Sequence, residues 1–166
     1  MKYIKKIICI LLILLSLFGC KDNRDLDGPY IVERVVDGDT FITNINNQRV
    51  RVRALCIDTP ESVAPKETGK TNTKQGEISS NRAKELLEGK NVYLEYDIEQ
   101  YDQYDRLLAY VYLEDKKTMF EEVMIKEGLA KVVKYEPNIK YIDEFYKLQD
   151  EARHNKVGHY ANGFYK

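Results

Sequence analysis

Three short segments of the sequence concentrate charged residues where predicted strands meet loops: residues 36–40, 53–61 and 102–110. Asp39 and Asp58 supply hard carboxylate oxygens, one at the start of a predicted strand and one at the end of another. Together with a backbone carbonyl and water, such a pair suits Ca²⁺ better than a metal that prefers sulfur or nitrogen. The first two segments therefore indicate a candidate calcium site.

Glu61 follows Asp58 by three residues, beyond the rigid Thr59-Pro60 pair. This spacing can place another carboxylate near a bound metal without making it a ligand. A carboxylate beside a metal-bound water can act as a general base. An EF-hand is excluded, because no acidic ligand follows residues 37–39 at the spacing that such a loop requires.

Two arginines complete the candidate site. Arg53 and Arg106 each adjoin the apolar part of a predicted strand, and guanidinium groups match phosphate oxygens with two parallel hydrogen bonds. A metal, a base and two guanidiniums are the parts that phosphodiester hydrolysis requires. Each segment alone has an ordinary structural interpretation, as a turn, a solvated strand face, a strand end or a hairpin tip. Only their combination favours this chemistry.

Composition excludes several other classes of site. Both histidines, His154 and His159, lie near the C-terminus, and there is no CxxC, P-loop or GxGxxG motif. The net charge of the chain is −1, which argues against a protein that coats nucleic acid through bulk positive charge. Cys56 lies on an apolar alternation and is interpreted as a core residue rather than a nucleophile.

The N-terminus has the pattern of a secretory signal. Three lysines precede an apolar run over residues 7–18, which is too short to cross a bilayer as a mature helix. Gly19-Cys20 resembles the lipobox of bacterial lipoproteins, which implies lipidation of Cys20. We therefore predict a signal peptide over residues 1–19, a lipidated cysteine and tether over residues 20–28, and one domain over residues 29–166. The product is expected to be secreted and anchored by lipid at the cell surface or envelope membrane; a retained anchor helix is the alternative.

Hydrophobic alternation predicts strands at residues 30–36, 40–45, 49–57, 92–98 and 107–113. Helical spacing predicts a helix over residues 78–87, a second that ends at Gly128 with a capping box of Thr118 and Glu121, and a third that starts at Pro137. This order predicts an α+β fold, an OB-fold-like five-stranded β-barrel with three flanking helices.

The charged segments resemble the signature segments of the staphylococcal nuclease family. The resemblance extends over about residues 30–160 and rests on Asp37-Gly38-Asp39-Thr40, Arg53 with Ile57-Asp58-Thr59-Pro60-Glu61, Tyr104-Asp105-Arg106 with Leu108-Ala109-Tyr110, and Gly128-Leu129-Ala130-Lys131-Val132.

This resemblance implies an endonuclease that cuts DNA and RNA with Ca²⁺ and leaves 3′-phosphate ends. It implies Ca²⁺ ligation by Asp39, Asp58 and the Thr59 carbonyl. It further implies catalytic roles for Arg53, Glu61 and Arg106, and a nucleotide pocket lined by Tyr104 and Tyr135. The expected partners are single-stranded DNA or RNA and, through the N-terminal lipid, a membrane; no protein partner is implied, and a monomer is expected.

The chain departs from the family pattern beside the second arginine, where Asp105 and Leu107 replace glycines. Asp105 has two open interpretations: it competes for the Arg106 guanidinium, or it repels the substrate phosphate. A second pocket tyrosine of the family is missing before Pro137, where Val133 and Lys134 lie, and the chain is acidic, so we expect weaker substrate binding. Two alternatives remain open: a catalytically silent OB-fold module that binds nucleic acid or protein, and a structural or adhesive surface lipoprotein, which would suit the 13 tyrosines.

Overall fold

The computed structural model of the chain describes residues 24–62 and 73–166. The predicted signal peptide and Cys20 lie outside these residues. Within them, no helix is both long and apolar enough to span a bilayer.

Five strands form a closed barrel in the order β1-β2-β3-β6-β5. Their bounds are β1 (Asp27–Asp37), β2 (Thr40–Ile45), β3 (Gln48–Ala54), β5 (Asn91–Glu95) and β6 (Leu107–Tyr112). Neighbours pair antiparallel except β3 and β6, which are parallel. Two short strands, β4 (Ile57–Asp58) and β7 (Lys131–Val132), pair antiparallel beside the barrel.

The β2–β3 hairpin follows from local sequence. Asn46 and Asn47 both have positive φ, the geometry of a two-residue hairpin turn. The register is regular from Ile45↔Gln48 to Thr40↔Arg53, so β3 alternates faces along its length. Val52 points into the core, whereas three arginines of β3 lie on the outer face of the barrel: Arg49, Arg51 and Arg53.

Cys56 divides the predicted strand over residues 49–57. Its φ of 60° turns the chain out of the barrel, so that β3 ends at Ala54 and β4 begins at Ile57. A positive φ is uncommon for a residue with a Cβ, and the alternating hydrophobic pattern does not predict one at Cys56. The Cys56 side chain is buried, and its thiol donates to the Asn138 carbonyl at 3.1 Å.

Three helices flank the barrel in the described part of the chain, which confirms the predicted fold class. Helix α1 (Lys74–Leu87) starts earlier than predicted, because Thr73 caps it by accepting the Gly76 N–H at 2.9 Å. Helix α2 is Phe120–Lys126 and helix α3 is Ile142–His154.

The predicted starts of α2 and α3 are wrong. Thr118 donates its hydroxyl to Asp115, and Met119 occupies the N-cap of α2 without a side-chain cap, so no capping box forms. Helix α3 begins at Ile142 rather than Pro137, because buried Asn138 holds the intervening segment in place. The Asn138 amide accepts from the Glu99 N–H and donates to the Glu99 carbonyl, each at 2.8 Å.

Glu121 is a buried carboxyl group within the core. Both of its oxygens lie 3.1 Å from the Val111 N–H, which donates to them. Burial raises the pKa of Glu121 well above its ordinary range. The unfolded chain therefore releases this proton at a lower pH than the folded chain, and stability falls as pH rises above the unfolded pKa of about 4.3.

Glu121→Gln is consequently expected to increase the free energy of unfolding at pH 7, since it removes the cost of keeping or ionising a buried carboxyl group whose pKa is raised. The gain should disappear near pH 4. Denaturant unfolding from pH 4 to 8 measures it, with Glu122→Gln in the same helix as the matched control. An unchanged slope of stability against pH in Glu121→Gln would contradict the assignment.

Candidate active site

The first two charged segments of the sequence meet at one end of the barrel. Asp39 lies in the turn between β1 and β2, and its carbonyl accepts the Ala54 N–H at 2.9 Å. This bond ties the turn to the end of β3, where Arg53 pairs with Thr40 across the hairpin. Asp58 closes the short strand β4 that follows.

Arg53 connects the two candidate metal ligands. Its Nη2 lies 3.3 Å from Asp39 Oδ2 and 3.8 Å from Asp58 Oδ1. Nη1 donates to the Ala54 carbonyl and Nη2 to the Ile57 carbonyl, each at 2.7 Å. The guanidinium is therefore buried and fixed in orientation before any substrate is bound.

The Asp39 carboxylate is also held in place. Oδ2 accepts from both the backbone N–H and the hydroxyl of Thr59, each at 3.1 Å, and Oδ1 accepts from the Thr40 hydroxyl at 2.9 Å. Asp39 is buried, whereas the side chain of Asp58 is 56% exposed. The pair thus presents one rigid and one accessible carboxylate around a single guanidinium.

Asp37 joins this acidic group, although the sequence suggested only a turn residue. Its Oδ1 accepts from the Ser62 hydroxyl at 2.7 Å and from the Gly38 N–H at 2.8 Å. The pKa of Asp37 is raised to about 6: burial is the largest cause, the charge of Asp39 and a hydrogen bond with Glu61 add to it, and the bonds from Ser62 and Gly38 oppose it. Asp37, Asp39 and Glu61 therefore form an electronegative region. The sequence signal was the Asp-Gly-Asp spacing itself.

Two glycines permit this close assembly. A Cβ on Gly38 would lie 2.6 Å from the Thr59 hydroxyl, and a Cβ on Gly76 would lie 2.1 Å from the Glu61 carbonyl. Glu61 is also bonded through its carbonyl to the Thr73 N–H at 3.0 Å. The first turn of α1 therefore packs directly on the backbone of Glu61 and fixes its position.

The donor chemistry fits a hard divalent cation. Carboxylate oxygens of Asp39 and Asp58, with the Thr59 carbonyl that the resemblance implies, are the ligand types that Ca²⁺ prefers. Within residues 24–62 and 73–166, no three acidic, histidine or cysteine side chains form a metal cluster, so a bound ion would also take backbone oxygen or water.

Arg106 precedes β6, and Asp102 holds it. Its Nε donates to Asp102 Oδ2 at 2.7 Å, and its backbone N–H donates to Oδ1 at 3.0 Å. Burial opposes ionisation of Asp102, but these bonds and one from the Tyr104 N–H bring its pKa below the ordinary value. The Arg106 guanidinium lies 5.5 Å from the centre of the Tyr104 ring.

The expectation that Asp105 competes for Arg106 is therefore not met. Asp105 adopts a φ of 60° at the exposed tip of the turn, whereas Asp102 faces inward, with 3% of its side chain exposed. Turn geometry, rather than adjacency in sequence, selects the partner of Arg106.

Parallel pairing brings the two arginines to neighbouring strands. Val52 pairs with Leu107 and Arg53 with Leu108, so Arg106, which precedes Leu107, is two residues before the level of Arg53 on the neighbouring strand. The pKa of Tyr135 responds to both arginines. Burial and then the charge of Asp102 raise this pKa, whereas the charges of Arg106 and Arg53 lower it. Tyr135 is half-buried, and Tyr104 is 70% exposed.

Two residues near Asp58, Lys131 and Tyr165, were not among the predicted site residues. Lys131 of β7 pairs in register with Asp58, and its Nζ lies 4.7 Å from the Tyr165 ring centre. Burial first and the charge of Asp58 second raise the pKa of Tyr165. Lys131 could have been named from the sequence, because residues 128–132 resemble a segment of the family. No motif in the sequence pointed to Tyr165.

The structure thus gathers Asp39, Asp58, Thr59 and Arg53 in one group, sets Glu61 beside Asp37, and places Arg106, Tyr104 and Tyr135 at the adjoining strand. Cys20 lies outside the described residues.

Several known proteins are similar to this chain in sequence. A family model described as "Staphylococcal nuclease homologue" matches residues 51–162. The chain is 42% identical over 136 residues to the SPbeta prophage-derived endonuclease YokF of Bacillus subtilis, a match that covers 81% of this chain and 44% of that protein. It is 41% identical over 138 residues to the thermonuclease of Staphylococcus intermedius, covering 82% of this chain and 79% of the relative. It is 40% identical over 136 residues to endonuclease YncB of Bacillus subtilis, a match that covers 81% of this chain and 62% of that protein. The chain therefore spans less than half the length of YokF.

Proposed function

Since this chain belongs to the staphylococcal nuclease family, we propose that it is a calcium-dependent nuclease that hydrolyses phosphodiester bonds of DNA and RNA and leaves 3′-phosphate ends. The observation that carries this proposal is the Arg53 guanidinium, buried within 4 Å of both Asp39 and Asp58. A fixed cation beside two carboxylates that could hold a metal ion suits the binding of a scissile phosphate.

In the proposed reaction, water attacks phosphorus in line, Glu61 accepts a proton from that water, and the bond from phosphorus to the 5′-oxygen breaks. Arg53 and Arg106 stabilise the charge that develops on the phosphate oxygens. Asp102 accepts from Nε of Arg106, and within residues 24–62 and 73–166 neither Nη group donates a hydrogen bond, so both can meet the phosphate. When bound by Asp39, Asp58 and the Thr59 carbonyl, Ca²⁺ supplies charge neutralisation and water activation.

Two further features belong to the same proposal. Tyr104 and Tyr135 line the nucleotide pocket next to the arginines, where aromatic rings can stack on bases. Cys20 carries a lipid that holds the enzyme at the cell surface or envelope membrane. Release of a Cys20→Ser variant from membranes into the medium is the expected result; retention of that variant on membranes would contradict lipid anchoring.

Digestion of labelled single-stranded DNA, with Ca²⁺ and with a chelator, tests the proposed activity. We expect cleavage with Ca²⁺, less than about 1% of that rate with chelator, and recovery when Ca²⁺ is restored. Product ends should be removable by a 3′-phosphatase. Binding of DNA without cleavage in either condition would instead identify a silent binding module.

A further inference from the structure

A cleft of about 460 Å³ lies along the first half of β3, next to the turn that carries Arg106. Its walls come from β3 on one side and from the loop before β6 on the other. The lining residues are Gln48, Arg49, Val50, Arg51, Tyr101, Tyr104 and Asp105. A second cleft of about 270 Å³ continues from it and shares Gln48, Val50 and Tyr101. The two together form a groove that leads away from the candidate active site.

Strand register places Arg51 beside the catalytic arginines. Arg51 and Arg53 lie on the same face of β3, two residues apart, which corresponds to about 6.6 Å along a strand. Val52 pairs with Leu107 in the parallel ladder, so Arg51 and Arg106 immediately precede paired residues on adjacent strands. Arg51 is therefore level with Arg106 and one side-chain repeat from Arg53, where it can meet the next phosphate of a bound strand.

Arg51 is available for an anion. Arg49 is engaged by Glu33, which accepts at 2.7 and 3.0 Å. Arg51 is exposed and, among the residues that the structure describes, has no carboxylate at ion-pair distance. The opposing charge in the cleft is Asp105, held at its rim by the turn.

Two aromatic rings stand open at the same place. Tyr101 is 55% exposed and Tyr104 is 70% exposed, although the backbone of Tyr101 is fixed by bridging to Leu107. Exposed rings next to guanidiniums are the combination that binds single-stranded nucleic acid, because bases stack on the rings while phosphates meet the cations.

We propose that Arg51 and Tyr101 bind the phosphate and the base of a nucleotide that neighbours the cleaved bond in a single-stranded substrate. The inference rests on the proposed nuclease function and extends it, since it makes substrate length a determinant of affinity. A duplex does not satisfy it, because the base must be unstacked to reach Tyr101.

The test compares two substrates: a dinucleotide with one phosphodiester bond and a single-stranded octanucleotide. Arg51→Gln and Tyr101→Ala should each reduce, by about tenfold, the advantage in kcat/KM that the octanucleotide holds over the dinucleotide. Arg51→Gln should also lower the slope of log Kd against log salt by about 0.7, the value for one phosphate contact on a single strand.

Two further variants test whether the effect depends on charge within the cleft rather than on the overall charge of the protein. Asp105→Asn removes the opposing charge while keeping a residue that tolerates positive φ, and should increase the length advantage. Lys117→Gln removes the same charge as Arg51→Gln in the turn beyond the far end of β6, and should leave the length advantage at the wild-type value.

A wild-type length advantage in active Arg51→Gln and Tyr101→Ala variants would overturn the subsite and leave the nuclease function intact. If the wild type cleaves neither substrate, the nuclease proposal fails. Binding of the octanucleotide then tests whether the cleft binds single-stranded nucleic acid. Binding that is about tenfold weaker in Arg51→Gln than in the wild type supports this role, and unchanged binding overturns it.

Discussion

Replacement of Arg106 by alanine is expected to lower kcat for single-stranded DNA by about 10³-fold, the range found when one guanidinium is removed from a phosphoryl-transfer site. The fold should survive, because the hydrogen bond and the ring contact of the Arg106 side chain are made to Asp102 and Tyr104 of its own turn. Single-turnover cleavage measures the effect, and thermal unfolding checks the structure.

Asp102→Asn provides the matched comparison for Arg106. It keeps the side-chain shape and the guanidinium but removes the charge that orients Nε, so we expect a smaller loss, about tenfold. An Arg106→Ala variant with kcat near that of the wild type would refute the role assigned to this arginine. Equal losses in the two variants would mean that Arg106 acts only through the shape of the turn.

Asp39→Asn is expected to reduce calcium-dependent cleavage by at least about 10³-fold, because it removes a charged ligand from the proposed ion site. An asparagine oxygen can still accept the bonds that Thr59 donates, so the local backbone should persist. Measurement of rate against Ca²⁺ concentration should show activity that excess Ca²⁺ does not restore.

Asp143→Asn, at an exposed position in the first turn of α3, removes the same charge away from the site and serves as the control. A normal calcium response in Asp39→Asn would show that the ion, if required, binds elsewhere. The same response in the control is the expected result.

The barrel was predictable because its determinants are local. Alternation along β2 and β3 and the Asn46-Asn47 turn define a hairpin whose register then places Asp39 near Arg53. The three charged segments also kept their relation to strand ends, so the principal acidic and basic residues of the site could be named before their distances were known.

What escaped prediction depends on backbone conformation and on distant contacts. The chain turns out of the barrel at Cys56 through a positive φ, which hydrophobic alternation does not predict. The Thr118 hydroxyl donates to Asp115 instead of capping the backbone of α2. Asp102, rather than its neighbour Asp105, reaches Arg106 because the turn directs it inward. Tyr165 lies more than 100 residues from Asp58 in sequence, and only tertiary packing sets them together.

The central claim is that one pocket holds both the metal ion and the phosphate. Calorimetric titration of Ca²⁺ into the protein, with and without a deoxynucleoside 3′-phosphate that cannot be cleaved, tests it most directly. The account predicts that the nucleotide tightens Ca²⁺ binding by about 5–150-fold, that Ca²⁺ tightens nucleotide binding by the same factor, and that Asp39→Asn abolishes both effects. Calcium affinity that is identical with and without the nucleotide would contradict it.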